Sequence, residues 1–117
     1  MNPGKELLLD VAQNCASLHI SEDIYVRILG KAVEQTKRDL TDLEAAIPGE
    51  DFEKIRAIAH RLKGDYDNMR IPVLSILARE MNEIAKTSKD KERLSGLLLE
   101  FNGLFEQLKE KITKRST

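Results

Sequence analysis

The sequence is poor in cysteine, aromatic residues and net charge, and each shortage excludes a class of protein. Cys15 is the only cysteine, so the chain forms no internal disulfide and no multi-thiolate metal site. A formal net charge of −1, from 19 basic and 20 acidic residues, provides no field that would gather nucleic acid or an anionic lipid surface. Aromatic residues make up 4% of the chain and tryptophan is absent, which favours a helical bundle over a sheet.

The chain also lacks a run of about 18 apolar residues that could span a bilayer, and its first residues do not form a secretion signal. Its 117 residues, 41% of them hydrophobic, suffice for one core of ordinary size but not for a separate catalytic domain beside it. We therefore expect a single domain over residues 1–117, located in the cytoplasm and binding neither membrane nor nucleic acid.

Apolar residues recur at helical spacing in four long segments. The first begins at the N-cap Ser21 and ends at Pro48-Gly49, and the second spans about residues 50–68. The third begins at Pro72, which fits a first helical turn, and the fourth covers about residues 90–114 after a break at about residues 87–89. The four stripes are Ile24, Ile28, Val33, Leu40, Leu43 and Ile47; Phe52, Ile55, Ala59, Leu62 and Tyr66; Leu74, Leu77, Ala78, Met81, Ile84 and Ala85; and Leu94, Leu97, Leu98, Phe101, Leu104, Phe105, Leu108 and Ile112.

A shorter helix is predicted over about residues 5–16, with Leu8, Val11 and Cys15 on its apolar side. Long amphipathic helices joined by short loops favour antiparallel neighbours. The sequence therefore predicts an all-α fold: an antiparallel up-down-up-down four-helix bundle over about residues 21–114, with the additional short N-terminal helix packed across one end. Since no helix has a second apolar stripe, we expect a monomer.

Of the two histidines, His60 is placed where a reactive side chain would be useful. At about 100° per residue, it lies roughly 120° from the centre of the apolar stripe of its helix, so it should reach solvent. Lys63 and Gly64 follow one turn later on the same flank, providing a cation and an uncovered approach. An exposed histidine beside a lysine is common, however, and spacing alone does not establish a function. His19 precedes the first long helix and is expected to be a loop or cap residue.

The run Ala59-His60-Arg61-Leu62-Lys63-Gly64 resembles the signature of histidine-phosphotransfer (HPt) domains, in which Ala-His and any residue precede Leu-Lys-Gly. The order of helices is similar too, and the resemblance covers roughly Ile20 to Ile112. It implies a phosphorelay module that accepts a phosphoryl group on Nε2 of His60, from the phospho-aspartate of a receiver domain or from a sensor or hybrid histidine kinase, and passes it to another receiver. Such a module is a phosphoryl carrier without its own kinase or ATP-binding domain.

The resemblance also implies roles around His60. Lys63 would offset the charge of the added phosphate, and Gly64 would let the partner's loops approach the imidazole. A polar residue on the following helix holds the other ring nitrogen in the family; ungapped alignment places Asn82 there, one methylene shorter than the usual Glu or Gln, with Lys86 one turn on. A solvated helix face is the alternative reading of both. We expect the surface around His60, represented by Arg56, Arg61 and Asp67, to contact the docked partner.

The residues after the motif depart from the family pattern. Small residues and a second glycine are usual there, whereas this chain has Asp65, Tyr66 and Asp67, with Arg70 in place of the second glycine. Asp67 shares the His60 flank, where it would repel a phosphoryl group or hold Lys63 in a competing ion pair. Tyr66 is expected in the core with its hydroxyl near an edge. Arg70 implies a turn that avoids a positive φ, or some strain.

Several motifs are missing altogether. The chain has no glycine-rich phosphate loop and no paired histidines or cysteines at metal-binding spacing, so we expect no cofactor and no metal site. Any magnesium would belong to the acidic pocket of the partner. Two alternatives to the relay module stay open: a degenerate HPt-like bundle that binds signalling partners without being phosphorylated, and a helical interaction domain unrelated to phosphate.

Overall fold

The computed structural model describes residues 6–116, and this part of the chain consists of five helices and the turns between them. The helices are α1 (Val11–Leu18), α2 (Glu22–Ala46), α3 (Phe52–Asn68), α4 (Pro72–Lys86) and α5 (Lys91–Ser116). None of the helices in this part of the chain is long and apolar enough to cross a membrane.

Short polar side chains or a proline begin the long helices. Ser21 Oγ accepts the Ile24 amide at 3.2 Å, as the sequence predicts for an N-cap. Asp51 and Asp90 cap α3 and α5 in the same way, each accepting the amide three residues on at 3.2 Å. Pro72 is the first residue of α4, where its missing N–H leaves no helical hydrogen bond unmade. The predicted starts of α3 to α5 are therefore correct to within two residues.

The four long helices close into a ring. Each packs against the next along the chain, and α5 returns to α2, while α1 packs on α2. Pairs between α2 and the α3 region run in opposite directions: Tyr25 meets Met69, Thr36 meets Tyr66, and Asp39 meets Arg61. The expected helical bundle with an added N-terminal helix is thus confirmed.

The core contains nearly all of the predicted stripe residues, with one correction in α2. Ile24 and Ile28 were expected inside but are 43% and 42% exposed, whereas Tyr25 and Leu29 are fully buried in their place. A tertiary contact decides which face of α2 is buried. The Tyr25 hydroxyl donates to the Met69 carbonyl at 2.6 Å, and this hydrogen bond holds the Tyr25 face of α2 toward the core. The three predicted core residues Phe52, Leu97 and Ile112 are only partly buried.

The N-terminal helix differs from the prediction at both ends. The expected start near Lys5 lies outside the described residues, and α1 begins at Val11 after the N-cap Asp10. Leu7 is buried in the preceding non-helical segment, where its amide donates to the Gln107 side chain at 3.0 Å, and Leu8 is 79% exposed. The α1 helix ends at Leu18, and His19 is its C-cap in the left-handed conformation, in agreement with the predicted cap role.

The turn between α3 and α4 contains the departure at Arg70. Its φ is 61°, so the chain does not avoid the positive φ for which glycine is favoured. The Arg70 guanidinium donates to Ser17 Oγ and to the Asp67 carbonyl, both at 3.1 Å. The strained residue therefore connects this turn to α1.

Two buried tyrosines hold α2 against α3, and they differ in how many hydrogen bonds each makes. Tyr25 donates to the Met69 carbonyl and accepts from Asn14 Nδ2 at 3.0 Å. Within residues 6–116, the Tyr66 hydroxyl bonds only to Thr36 Oγ1, at 2.7 Å, and Thr36 also donates to the Ala32 carbonyl. Removing the Tyr25 hydroxyl thus leaves two buried groups unpaired, while removing that of Tyr66 leaves one oxygen that keeps another bond.

We expect Tyr25→Phe to lower the free energy of unfolding by about 2–3 kcal/mol and Tyr66→Phe by about 1 kcal/mol. Urea denaturation followed by circular dichroism measures both values. Equal losses in the two variants would contradict the role of the Tyr25 hydroxyl in joining α1 and α2 to the α3–α4 turn.

Candidate functional site

His60 points away from the core. It lies in the middle of α3 and is exposed, whereas Ile55, Ala59 and Leu62 of the same helix are fully buried. The predicted accessibility of His60 is therefore confirmed. The imidazole forms no hydrogen bond with any other residue in the described part of the chain, and it lines an open groove at the surface.

A shallow groove of about 380 Å³ between α3 and α4 contains His60. Glu53, Arg56 and Ala57 line it from α3, and Asn82 lines it from α4. The sequence placed Asn82 opposite His60, and the two residues do share this groove. No hydrogen bond joins their side chains, so the predicted contact with the imidazole nitrogen stays a prediction. Lys86, at the exposed C-terminal end of α4, does not line the groove.

Lys63 and Asp67 form an ion pair one turn beyond His60. Lys63 Nζ lies 3.0 Å from Asp67 Oδ2, with both side chains partly exposed. The hydrogen bond from Lys63 holds the pKa of the Asp67 carboxyl below its ordinary value of 3.8, and the positive charge of Arg79 on α4 contributes to the same shift. The competing ion pair expected from the sequence is therefore present, and it engages the lysine one helical turn beyond His60.

Gly64 leaves the approach to His60 open. A Cβ built at this position meets no atom within 4 Å, and the residue is exposed. The absence of a side chain at Gly64 is thus not required by packing. Gly96 and Gly103 of α5 are equally exposed and equally free of neighbours, so they serve as matched comparisons.

Arg61, which follows His60, faces α2 and forms an ion pair with Asp39. Asp39 is fully buried, and it also accepts a hydrogen bond from Gln35 Nε2 at 3.0 Å. The hydrogen bond to Asp39 raises the pKa of the Arg61 guanidinium. Sequence reasoning missed this pair. The signal was available, because Asp39 lies between Thr36 and Leu43 at helical spacing on the inward face of α2, where a lone charge requires a partner.

Asp65 lies beside this pair and is partly buried. Burial raises the pKa of its carboxyl above the ordinary 3.8, repulsion from Asp39 adds to the shift, and attraction to Arg61 opposes it. Arg61 therefore neutralises the Asp39 carboxylate through a direct ion pair, and it stabilises the charge of the Asp65 carboxylate only weakly.

Charged groups thus surround His60 on two sides. Arg56, Lys63 and Asp67 lie on its α4 side, and Arg61 and Asp65 lie on its α2 side. Among the described residues, no group of three His, Cys, Asp or Glu side chains is arranged to hold a metal ion.

The model of the Hpt domain family matches residues 27–113, which is most of the chain, and the chain therefore belongs to this family. No curated protein matches the sequence. No solved structure matches it either. Hpt domains take part in phosphorelays by histidine phosphotransfer, exchange with receiver domains and histidine kinases, and have no kinase activity themselves.

The raised pKa of Asp65 predicts how the stability of the chain depends on pH. The folded chain holds the Asp65 proton more tightly than the unfolded chain does. The contribution of Asp65 to the free energy of unfolding therefore falls as the pH rises from about 3.8 through the raised pKa of the folded chain. We expect Asp65→Asn to be more stable than the parent at pH 7, by less than about 1 kcal/mol, and the difference to vanish near pH 3. Denaturation curves across this range measure it; a variant less stable at pH 7 would contradict the assignment.

Proposed function

We propose that His60 is the phosphorylated residue of this chain. It accepts a phosphoryl group from the aspartyl phosphate of a receiver domain, or from a histidine kinase, and passes it to another receiver. The observation that carries the proposal is the exposure of His60 within the Hpt-matched region, on a helix whose opposite side is buried. The open space at Gly64 supports it, since a partner's loops can reach the imidazole there.

The exchange needs only a neutral imidazole and a good leaving group. The lone pair of Nε2 forms the N–P bond while the P–O bond breaks, and its electron pair returns to the partner's aspartate as carboxylate. The proton on Nδ1 stays on the ring. The reverse step restores the acyl phosphate on the next receiver, so no nucleotide is consumed by this chain.

Neighbouring residues adjust this chemistry without performing it. Lys63 supplies positive charge for the bound phosphoryl group once it leaves Asp67, and Arg56 lies in the same groove as His60. Asn82 is the candidate to orient the ring, and Lys86 adds charge from the end of α4. Arg61 and Asp67 stay candidates for partner docking, although each is also engaged in an ion pair within the chain.

The second candidate function is a bundle that binds a receiver or kinase without becoming phosphorylated. The observation in its favour is the Lys63–Asp67 ion pair, because it engages the cation that the phosphoryl group needs and leaves a carboxylate on the same flank. For either function we propose a monomer acting in the cytoplasm, where receiver domains and the kinase domains of two-component systems meet.

Transfer from a phosphorylated receiver separates the two functions. The chain is mixed with a receiver domain charged on its aspartate by acetyl phosphate, and acid-labile, base-stable phosphate on the chain is measured. We expect such phosphate on the parent and on His19→Asn, and none on His60→Asn. Receiver binding without any label on the parent would favour the non-phosphorylated bundle, and label retained by His60→Asn would exclude the proposed site.

Gly64 tests the need for open access. We expect Gly64→Leu to raise the free energy of unfolding by up to about 1 kcal/mol, because glycine is a poor helix former, while transfer from the receiver falls. Gly103→Leu, at an exposed glycine of α5, is the control and should gain stability without losing transfer. Parallel losses of stability and transfer in Gly64→Leu would indicate a packing role instead.

Removing either member of the Lys63–Asp67 ion pair should change the phosphorylated fraction of the chain, in opposite directions for the two residues. Asp67→Ala removes a like charge near the phosphate and frees Lys63, so it should raise the steady-state phosphorylated fraction by less than about fivefold, and more at low salt. Lys63→Ala should lower that fraction by a larger factor. Both fractions are measured by separating the phosphorylated and free chains. Loss of all exchange in Asp67→Ala would mean that the carboxylate participates positively.

A further inference from the structure

The groove between α3 and α4 brings a guanidinium, a carboxylate and an amide to the imidazole. Arg56 and Glu53 line it from α3 together with Ala57 and His60, and Asn82 lines it from α4. Arg56 and Glu53 are exposed, and Asn82 is partly buried. A phosphoryl group on His60 would lie among these side chains.

Helix geometry places the imidazole over the turn that contains Arg56. Long side chains of an α-helix lean toward its N-terminus, so each covers the surface over the preceding turn. His60 therefore extends toward Arg56, four residues earlier, and Ala57, three residues earlier, in agreement with the groove that the three residues share. Ala57 contributes only a methyl group, so no longer side chain fills the space between the imidazole and the guanidinium.

Lys63 follows His60 along the helix, and its ammonium group is directed further toward the C-terminus. Lys63 Nζ donates to Asp67 Oδ2 at 3.0 Å, one turn beyond Lys63 itself. Lys63 does not line the groove that contains His60. Binding a phosphoryl group with Lys63 requires this ion pair to break, whereas Arg56 has no ion pair to break within residues 6–116.

Glu53 is the acidic residue of the groove and competes with a phosphoryl group for Arg56. It precedes Arg56 by three residues, a spacing at which side chains on a helix surface are neighbours. The two form no ion pair in the described part of the chain, so Glu53 does not already occupy the guanidinium. A phosphoryl group carries a charge of about −1.5 to −2 and accepts two parallel N–H donors from an arginine. It is therefore the stronger ligand, and Glu53 reduces the binding without cancelling it.

We propose that the guanidinium of Arg56 binds the phosphoryl group on His60, and that Glu53 limits this binding. Two N–H groups of Arg56 donate to two phosphoryl oxygens, while Lys63 adds positive charge from the turn beyond His60. Arg56 is thereby assigned to the phosphorylated imidazole rather than to the docked partner. The proposal rests on the proposed function of His60 and adds to it the residue that stabilises the phosphorylated form.

Labelling by phosphoramidate tests Arg56 without a partner, since this small donor transfers its phosphoryl group to the imidazole nitrogen and releases ammonia. Arg56→Gln is compared with the parent, and Arg27→Gln, which removes an exposed arginine of α2, is the control. We expect Arg56→Gln to lower the ratio of phosphorylated to free chain by about threefold to tenfold, and Arg27→Gln to leave it unchanged. Glu53→Gln should raise this ratio, and Arg56→Lys should fall between Arg56→Gln and the parent because it keeps the charge but loses the paired donors.

The pKa of the phosphoryl group is a second measurement, which a merely structural role of Arg56 would not change. It is read from the phosphorus NMR shift of the labelled chain as the pH is varied. A nearby cation favours the fully ionised phosphoryl group, so this pKa should be higher in Arg56→Gln than in the parent and lower in Glu53→Gln.

The outcomes separate this proposal from the one on which it rests. A labelled parent whose phosphoryl pKa is the same in Arg56→Gln would overturn the role of Arg56 and leave the function of His60 intact. A loss in Arg56→Gln that occurs with a phosphorylated receiver but not with phosphoramidate would overturn it too, and would return Arg56 to partner docking. A pKa shift in Lys63→Gln alone would assign the phosphoryl group to Lys63. A parent that phosphoramidate does not label would overturn the function of His60 and this proposal with it.

Discussion

The burial of one stripe of α3 is the constraint on which the site depends. Ile55, Ala59, Leu62 and Tyr66 face the core without exposed surface, and their helical spacing leaves His60 facing outward. Rotating α3 to bury the imidazole would expose these four side chains and break the hydrogen bond from Tyr66 to Thr36. The His60 side chain therefore needs no dedicated support to stay exposed, because its direction is a consequence of packing on the opposite face of α3.

Electrostatics divides the surface around His60 into two sides with different chemistry. Toward α4, the Lys63–Asp67 ion pair is exposed and therefore weak, so Lys63 can leave Asp67 for another anion at little cost. Toward α2, Arg61 forms an ion pair with the buried Asp39, and breaking this pair would leave an uncompensated charge in the core. One cation is thus available to a ligand, and the other fixes α3 against α2.

Helical periodicity was sufficient to predict the four long helices, most of the core and the outward direction of His60, because local spacing determines all three. It placed the short N-terminal helix too early, since α1 begins at Val11 and residues 6–10 are not helical. It was wrong for Ile24 and Ile28, since α2 has apolar residues at adjacent positions and the choice of Tyr25 and Leu29 was made by hydrogen bonds to distant residues. Local spacing placed Asp39 on the inward face of α2 but could not identify its partner, because Arg61 lies 22 residues away in the chain. The family resemblance supplied what periodicity lacked, namely the chemistry expected of His60.

Direct mapping of the phosphorylated atom tests the central claim most sharply. The chain is charged with phosphoramidate and examined by two-dimensional NMR that correlates phosphorus with imidazole protons. The account predicts one phosphoramidate signal, coupled to the ring protons of His60 through Nε2 and absent in His60→Asn. A signal from His19, or no phosphorus bound to nitrogen in the folded chain, would contradict it.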